Sequence, residues 1–224
     1  MQPEINADPN AVIVIQTNNM PWEATEYPGV WRKVLERVND PKKGRETSIV
    51  KFDPNTKLPT EVLAQRQDIL VVEGTYSDEH GDYGVQTFIR NQVGFRHTPS
   101  SRSGCVLFVK RRVHFRDETA RLVIDPTKAK WVDFPHRSAS VLHLYRDADG
   151  IETARIGLMG PNGNIPTHDH AMGEESFTLE GCLKDETHSF DAGTWFRFPI
   201  GVPHTPFTKD VGCKMLIREG DLVW

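Results

Sequence analysis

Two histidines and a glutamate, His168, His170 and Glu174, carry the first chemical signal in the chain; they lie in the stretch P-T-H-D-H-A-M-G-E-E-S-F-T-L-E-G from Pro166 to Gly181. In an extended segment residues i and i+2 project to one face, so the imidazoles of His168 and His170 share a space from which Asp169 points away. That is the geometry of metal ligands. A solvated loop rich in histidine and acid would look the same over these residues alone, so the choice rests on what the remainder of the chain supplies.

Holding such groups in place needs a rigid frame, and the sequence is rich in short β-favouring runs: T-S-I-V-K-F, I-L-V-V-E-G-T-Y, C-V-L-F-V-K, S-V-L-H-L-Y, A-R-I-G-L-M, S-F-T-L-E-G, T-W-F-R-F-P and C-K-M-L-I-R. Clusters of Gly, Pro, Asn and Asp separate them, which predicts an all-β sandwich or barrel. The one competing helical segment is V-W-R-K-V-L-E-R-V, Val30 to Val38, and it lacks a clean cap. At 224 residues the chain has room for one large domain or two smaller ones. An offset of 107 decides for two: it carries Pro28 to Pro135, Pro59 to Pro166, Gly74 to Gly181, Asp78-Glu79 to Asp185-Glu186 and His97-Thr98-Pro99 to His204-Thr205-Pro206. The frame then slips by one, Cys105 meeting Cys213 at 108. A run of matches at one offset marks an internal duplication. The halves are 1–118 and 119–224, joined within 114–126.

Composition narrows the classes of function. The net charge is -4 with nine histidines taken as neutral, which gives no electrostatic reason to expect nucleic acid or an anionic membrane as partner. The basic run K-R-R-V-H-F-R at 110–116 is expected to be one solvated face of a strand. Cys105, Cys182 and Cys213 stand far apart with no C-x-x-C, which argues against a disulfide framework or a thiolate zinc module and fits a reducing compartment. The first residues, M-Q-P-E-I-N-A-D-P-N, have neither a basic nor an apolar signal region, and no apolar stretch reaches the ~18 residues of a membrane span. The expected location is the cytoplasm.

In the second half, His168-x-His170-x3-Glu174-x6-Gly181 is followed by Gly193-x5-Pro199-x-Gly201-x2-His204. This pair of motifs resembles the two signature motifs of the cupin superfamily. The resemblance implies a double-stranded β-helix jelly roll in each half and convergence of His168, His170, Glu174 and His204 on one divalent metal. Gly163 stands one residue closer to His168 than the family pattern has it, while the spacing to Gly181 favours Glu174 over its neighbour Glu175. Three neutral imidazoles and one carboxylate leave a divalent ion with a net charge of about +1 and open positions, which suits Zn or Fe first and Mn or Ni after them. More narrowly, V-E-G-T-Y-S-D-E with R-H-T-P in the first half, and L-E-G, D-E and V-P-H-T-P in the second, are similar to the cupin-type domain of ChrR, the anti-ECF sigma factor. That family adds an N-terminal helical zinc domain with a His-x3-Cys-x2-Cys motif that grips the sigma factor. The sequence has no such motif, so a sigma factor is not an expected partner.

At offset 107 the first half presents Glu61, Leu63, Gln67 and His97 at the four ligand positions. A leucine and an amide among four positions leave too few donors for tight binding, so Glu61, Gln67 and His97 form a degenerate site in a barrel kept for structure. Strand parity sends Ser176 and Thr178 to the same face as Glu174, giving the second barrel a small polar floor, whereas their equivalents Ile69 and Val71 should pack the first barrel shut. On the opposite parity Phe177, Leu179, Leu70 and Val72 are apolar and need cover, from the other barrel or from a second subunit in a homodimer. Two functions fit one metal per chain and a small-molecule ligand. One is a non-haem metal enzyme of the dioxygenase kind found among related cupins. The other is a regulatory or sensory module of the ChrR kind, holding zinc.

Overall fold

The computed structural model describes residues 2–113, 120–220 and 222. Among them, regular structure is all β apart from two single-turn 3-10 segments, Thr17–Asn19 and Pro135–Arg137, and no helix is long and apolar enough to cross a membrane. Val30–Val38 is a strand. A register shift between Val34 and Glu36 against the strand Arg45–Phe52 breaks its two-residue alternation, and burial on both faces hides the period that would have distinguished it from a helix.

The chain forms two compact units, residues 1–7 with 21–129, and residues 8–20 with 130–224. The sheet of the first runs Leu122–Ile124, Phe88–Asn91, Arg66–Gly74, Cys105–Arg112, Arg45–Phe52, Val30–Val38 and Glu23–Ala24 in spatial order, and short strands at 56–57, 76–78, 81–83 and 100–101 make a smaller sheet. The sheet of the second runs Ile13–Gln16, Thr194–Phe198, Glu174–Lys184, Cys213–Glu219, Thr153–Met159, Ala139–Arg146 and Val132–Phe134. The units therefore depart from the continuous blocks 1–118 and 119–224. Ile13–Gln16, which opens the first repeat, pairs with Thr194–Phe198 of the second unit, and Leu122–Ile124, which opens the second repeat, pairs with Phe88–Asn91 of the first. Of the join, residues 114–119 lie outside those described.

The duplication is visible in backbone detail. Gly74 and Gly181 have φ of +71° and +72°, and a Cβ on either would meet the carbonyl oxygen of Gly104 or Gly212 at 2.1 or 1.9 Å. Both the left-handed backbone and the close approach demand glycine there. The one-residue slip falls in the turn between Pro206 and Gly212, after which Cys213 pairs with Gly181 as Cys105 pairs with Gly74. Each barrel has its own apolar interior: Val30, Phe52, Ile69, Val71, Leu107 and Val109 in the first, and Met159, Leu183, Phe190, Phe196, Phe198 and Met215 in the second.

The outward faces of the long strands are also covered: Leu70 and Phe177 are both buried. In the first unit that layer is charged as well as apolar. Asp68 accepts two hydrogen bonds from Arg90, at 2.8 and 2.7 Å, and Glu36 pairs with Arg45 at 2.9 Å and Lys110 at 3.1 Å. The basic run at 110–116 is thus not a solvated face. Its strand lies mid-sheet, so Lys110 and Arg112 are buried outward and Arg111 turns into the barrel, while residues 114–116 lie outside those described.

Candidate metal centre

Backbone pairing sets the site in place. His168 and His204 form an isolated antiparallel bridge, each amide donating to the other's carbonyl at 3.1 and 2.9 Å, so the two imidazoles leave the backbone side by side. Two residues on, the carbonyl of His170 accepts from the amides of Gly173 and Gly201, at 3.0 and 3.2 Å, which tie the loop to the turn ahead of His204. Glu174 then opens the strand Glu174–Lys184, in register with Phe198 on one side and Glu219 on the other. The three rings stand 4.7 to 5.3 Å apart by centroid, and one nitrogen from each of His168, His170 and His204 lies within 4.8 Å of the others. Among the described residues no other three donors of the His, Cys, Asp and Glu types gather in this way.

The nitrogens and the carboxylate point at one spot. His170 Nε2 is 3.2 Å from His204 Nε2, and Glu174 Oε2 is 2.7 Å from the first and 3.6 Å from the second without a directed hydrogen bond. Two imidazole nitrogens facing each other beside a buried carboxylate oxygen is an arrangement that a cation would complete. The rings are oriented from behind. The Pro166 carbonyl can only accept, so His168 carries its proton on Nδ1, 2.9 Å away, and leaves Nε2 for the site. Glu219 Oε1 accepts from His170 Nδ1 at 3.2 Å and from Arg155 at 2.6 Å. Ser176 Oγ donates to the other oxygen of Glu174.

Protonation follows from these contacts. Burial disfavours charge on His170, but the Glu174 and Glu219 carboxylates outweigh it and raise the imidazole to about 9. Burial lowers His204. Burial would raise both carboxyls, yet the adjoining His170 imidazole prevails at each: Glu174, beside its Nε2, is lowered, and Glu219, hydrogen-bonded to its Nδ1 and helped by Arg155, falls to about 2. The metal-free site therefore holds a proton on His170 where a metal would sit.

Glu175, the rival to Glu174, turns to the other side of the strand. It accepts from Trp195 Nε1 at 3.0 Å and lies 3.5 Å from Arg218. The imidazoles open into a cavity of about 140 Å³ walled by Val141, Leu158, Met159, Ile165, Met215 and Ile217. Ser176 and Thr178 do not line it: their cross-strand neighbours Ile217 and Met215 do, and the floor is apolar instead of polar. The sequence reading missed Glu219 and Arg155. The signal was present in alternation, since Cys213, Met215, Ile217 and Glu219 share one strand face and Arg155, Gly157 and Met159 another. Cys213 also lines the cavity, but burial pushes its thiol up to about 12, so it is no nucleophile or ligand at neutral pH.

In the first barrel His97 pairs with Glu61 as His204 does with His168. The chemistry differs. His97 Nε2 donates to Glu61 at 3.1 Å and Nδ1 accepts from the Tyr76 hydroxyl at 3.1 Å, leaving no lone pair for a metal. Gln67 accepts from Asn91 at 3.4 Å, and Leu63 is buried away from the barrel's opening. This barrel is not packed shut. Ile69 and Val71 fill its depth, but above them a cavity of about 100 Å³ remains, lined by Glu61, Gln67, Tyr76, His97 and Arg111.

Compared with known families, the chain matches the ChrR cupin-like domain twice, over residues 10–114 and 119–223. It belongs to the ChrR cupin-like family. The two matches are the two repeats, so this member is a tandem of cupin domains. A search of curated proteins gave no match. Solved cupins share the fold at low identity. A candidate dioxygenase from Nostoc punctiforme is 15% identical, with a TM-score of 0.78 over 96% of this chain and 85% of that one. Oxalate decarboxylase from Lactobacillus farciminis, solved with formate, is 12% identical, with a TM-score of 0.69 over 94% and 86%. Bacillus subtilis oxalate decarboxylase, which has Mn(II) centres, is 10% identical, with a TM-score of 0.65 over 94% and 78%.

Proposed function

We propose that this ChrR-like bicupin binds one divalent metal in its second barrel through His168, His170, Glu174 and His204 and transforms a small chelating oxygen compound there, as a non-haem Fe(II) dioxygenase. The observation that carries the reading is the convergence of three imidazole nitrogens within 4.8 Å of one another, beside a buried carboxylate and at the mouth of an apolar cavity. A divalent ion held by such ligands supplies Lewis acidity to a chelating oxygen and, as Fe(II), a place for dioxygen to react. The chain's own residues do the remainder. Glu219 and the Pro166 carbonyl fix two rings through Nδ1, which turns both Nε2 atoms toward the site. Glu219 also engages Arg155, so that guanidinium is no free anion clamp. The apolar walls exclude water and suit the hydrocarbon ends of a compound such as a 1,3-diketone. Apart from the three histidines and Glu174, the titratable side chains lining the cavity are Arg155 and Cys213, and neither serves as a general base for hydrolysis.

The test is oxygen uptake by protein purified without air and loaded with Fe(II), offered 1,3-diketones and similar chelating compounds. Fe(II)-dependent uptake that disappears in His168→Ala is expected. Zinc retained through purification with no turnover of any chelating compound would select the second reading, a regulatory module, which the match to the ChrR cupin-like domain favours. The three free thiols suit a cytoplasmic setting for either role.

A further inference from the structure

The first barrel's cavity holds a cation that nothing in the metal-centre reading uses. Arg111 pairs in register with Gln67, as Glu219 pairs with Glu174, so Arg111 occupies in the first barrel the place of Glu219 in the second. By the same registers Ser48, opposite Val109, stands where Arg155 stands, opposite Ile217. The second barrel has an arginine and a glutamate at these two places, neutralising each other at 2.6 Å. The first has an arginine and a serine. Its cation therefore lacks a directly bonded counter-ion such as the second barrel's arginine possesses, and acts on Glu61 only through its field. Arg111 is half-buried, lines the cavity, and among the described residues has no hydrogen-bond or ion-pair partner. The cavity's other arginine, Arg32, is already held by Glu46 at 3.2 Å.

The rest of the lining complements that charge. Glu61 also faces the cavity, with its side chain 40% exposed, and its bond to His97 uses only Oε1, which leaves Oε2 to accept from a ligand. The bond to His97 and the field of Arg111 keep this carboxyl ionised by lowering it below its usual range. The same cavity is lined by Val30, Val50, Ile69, Leu107 and Val109, all apolar. A site with one guanidinium fork outside any ion pair, Glu61 as carboxylate acceptor with a second carboxylate, the exposed Glu26, also in the lining, and branched aliphatic walls in about 100 Å³ matches a small molecule that has a carboxylate at one end, a hydroxyl or amino donor beside it and a short aliphatic body.

We propose that the first barrel is a metal-independent binding site for a small aliphatic hydroxy- or amino-carboxylate, with Arg111 taking the carboxylate and Glu61 the donor. The substitution of metal ligands in this half then marks a change of ligand, from a metal ion to an organic acid.

The experiment uses the full chain stripped of metal with a chelator and titrated calorimetrically with 2-hydroxy-3-methylbutanoate and with valine. 3-Methylbutanoate, which lacks the donor, and 2-methylpropan-1-ol, which lacks the carboxylate, are the comparators. Saturable binding of at least one of the two complete ligands is expected, weakened about tenfold or more in both comparators, because each loses a charge-assisted bond. Arg111→Gln should weaken that binding by about tenfold or more, and His168→Ala should leave it unchanged. Glu61→Gln, at a side chain 40% exposed whose amide oxygen can still accept from His97, should abolish the preference over 3-methylbutanoate and keeps the proposal testable if Arg111→Gln does not fold. No saturable binding of either complete ligand up to about 10 mM, equal affinity in Glu61→Gln and the parent, or loss of binding in His168→Ala would overturn the assignment.

Discussion

Metal uptake by the second barrel should be strongly pH-dependent, by an amount set by one proton. His170 titrates at about 9 in the metal-free site because Glu174 and Glu219 hold its charged form, so near pH 7 its Nε2 carries a proton that a metal must displace. His204 is lowered and Glu174 and Glu219 are already ionised, so none of these adds a second proton. Affinity should then rise about tenfold per pH unit through neutrality and level off near 9, a gain of ~100-fold between pH 7 and 9, with about one proton released per ion bound at pH 7. Competition with a chromophoric chelator across this range, together with proton release into weak buffer, measures both quantities. Glu219→Gln removes one of the two carboxylates that hold the proton and should move the rise to lower pH. The same proton stabilises the metal-free fold. A histidine raised from 6.5 to about 9 contributes fully below 6.5, and that contribution disappears as pH climbs through 9, so the metal-free protein should lose melting temperature over that window. Affinity independent of pH, or two protons released, would refute the reasoning.

His204→Ala should remove most bound metal and leave circular dichroism nearly unchanged, because the barrel interior of Phe190, Phe196 and other apolar residues remains, while the lost ring contact with Phe198 lowers the melting of the metal-free chain modestly. His97→Ala should leave metal content untouched, as measured by elemental analysis, since both nitrogens of that ring are already engaged within the first barrel. Glu36→Ala leaves Lys110 and Arg45 buried without their shared carboxylate and should destabilise the first unit by about 3–5 kcal/mol in denaturant titrations. A protein with Cys105, Cys182 and Cys213 all changed to Ser should keep its metal, because no thiolate belongs to the cluster.

The fold class and the duplication were legible because both are local properties of the sequence. Short β-favouring runs between turn residues set the class, and Gly74 with Gly181 repeat because only glycine tolerates that backbone and that approach. The histidine cluster was legible for the same reason, being written as spacings. What the sequence hid depends on pairing between distant segments. The exchange of Ile13–Gln16 and Leu122–Ile124 between the units leaves no mark in composition. The strand Val30–Val38 concealed its period behind a bulge, and Lys110 resembled a surface lysine because its carboxylate, Glu36, lies 74 residues away. The first barrel's cavity was hidden because Ile69 and Val71 suggested complete filling, whereas they fill only its depth and Arg111 lines the space above.

The central claim, one metal in one barrel, is tested most directly by diffraction from crystals of metal-loaded protein collected at the absorption edge of the bound ion. A single anomalous peak per chain, within coordination distance of His168, His170, Glu174 and His204, is the predicted result. A peak beside Glu61 and His97, or peaks of equal height in both barrels, would contradict it.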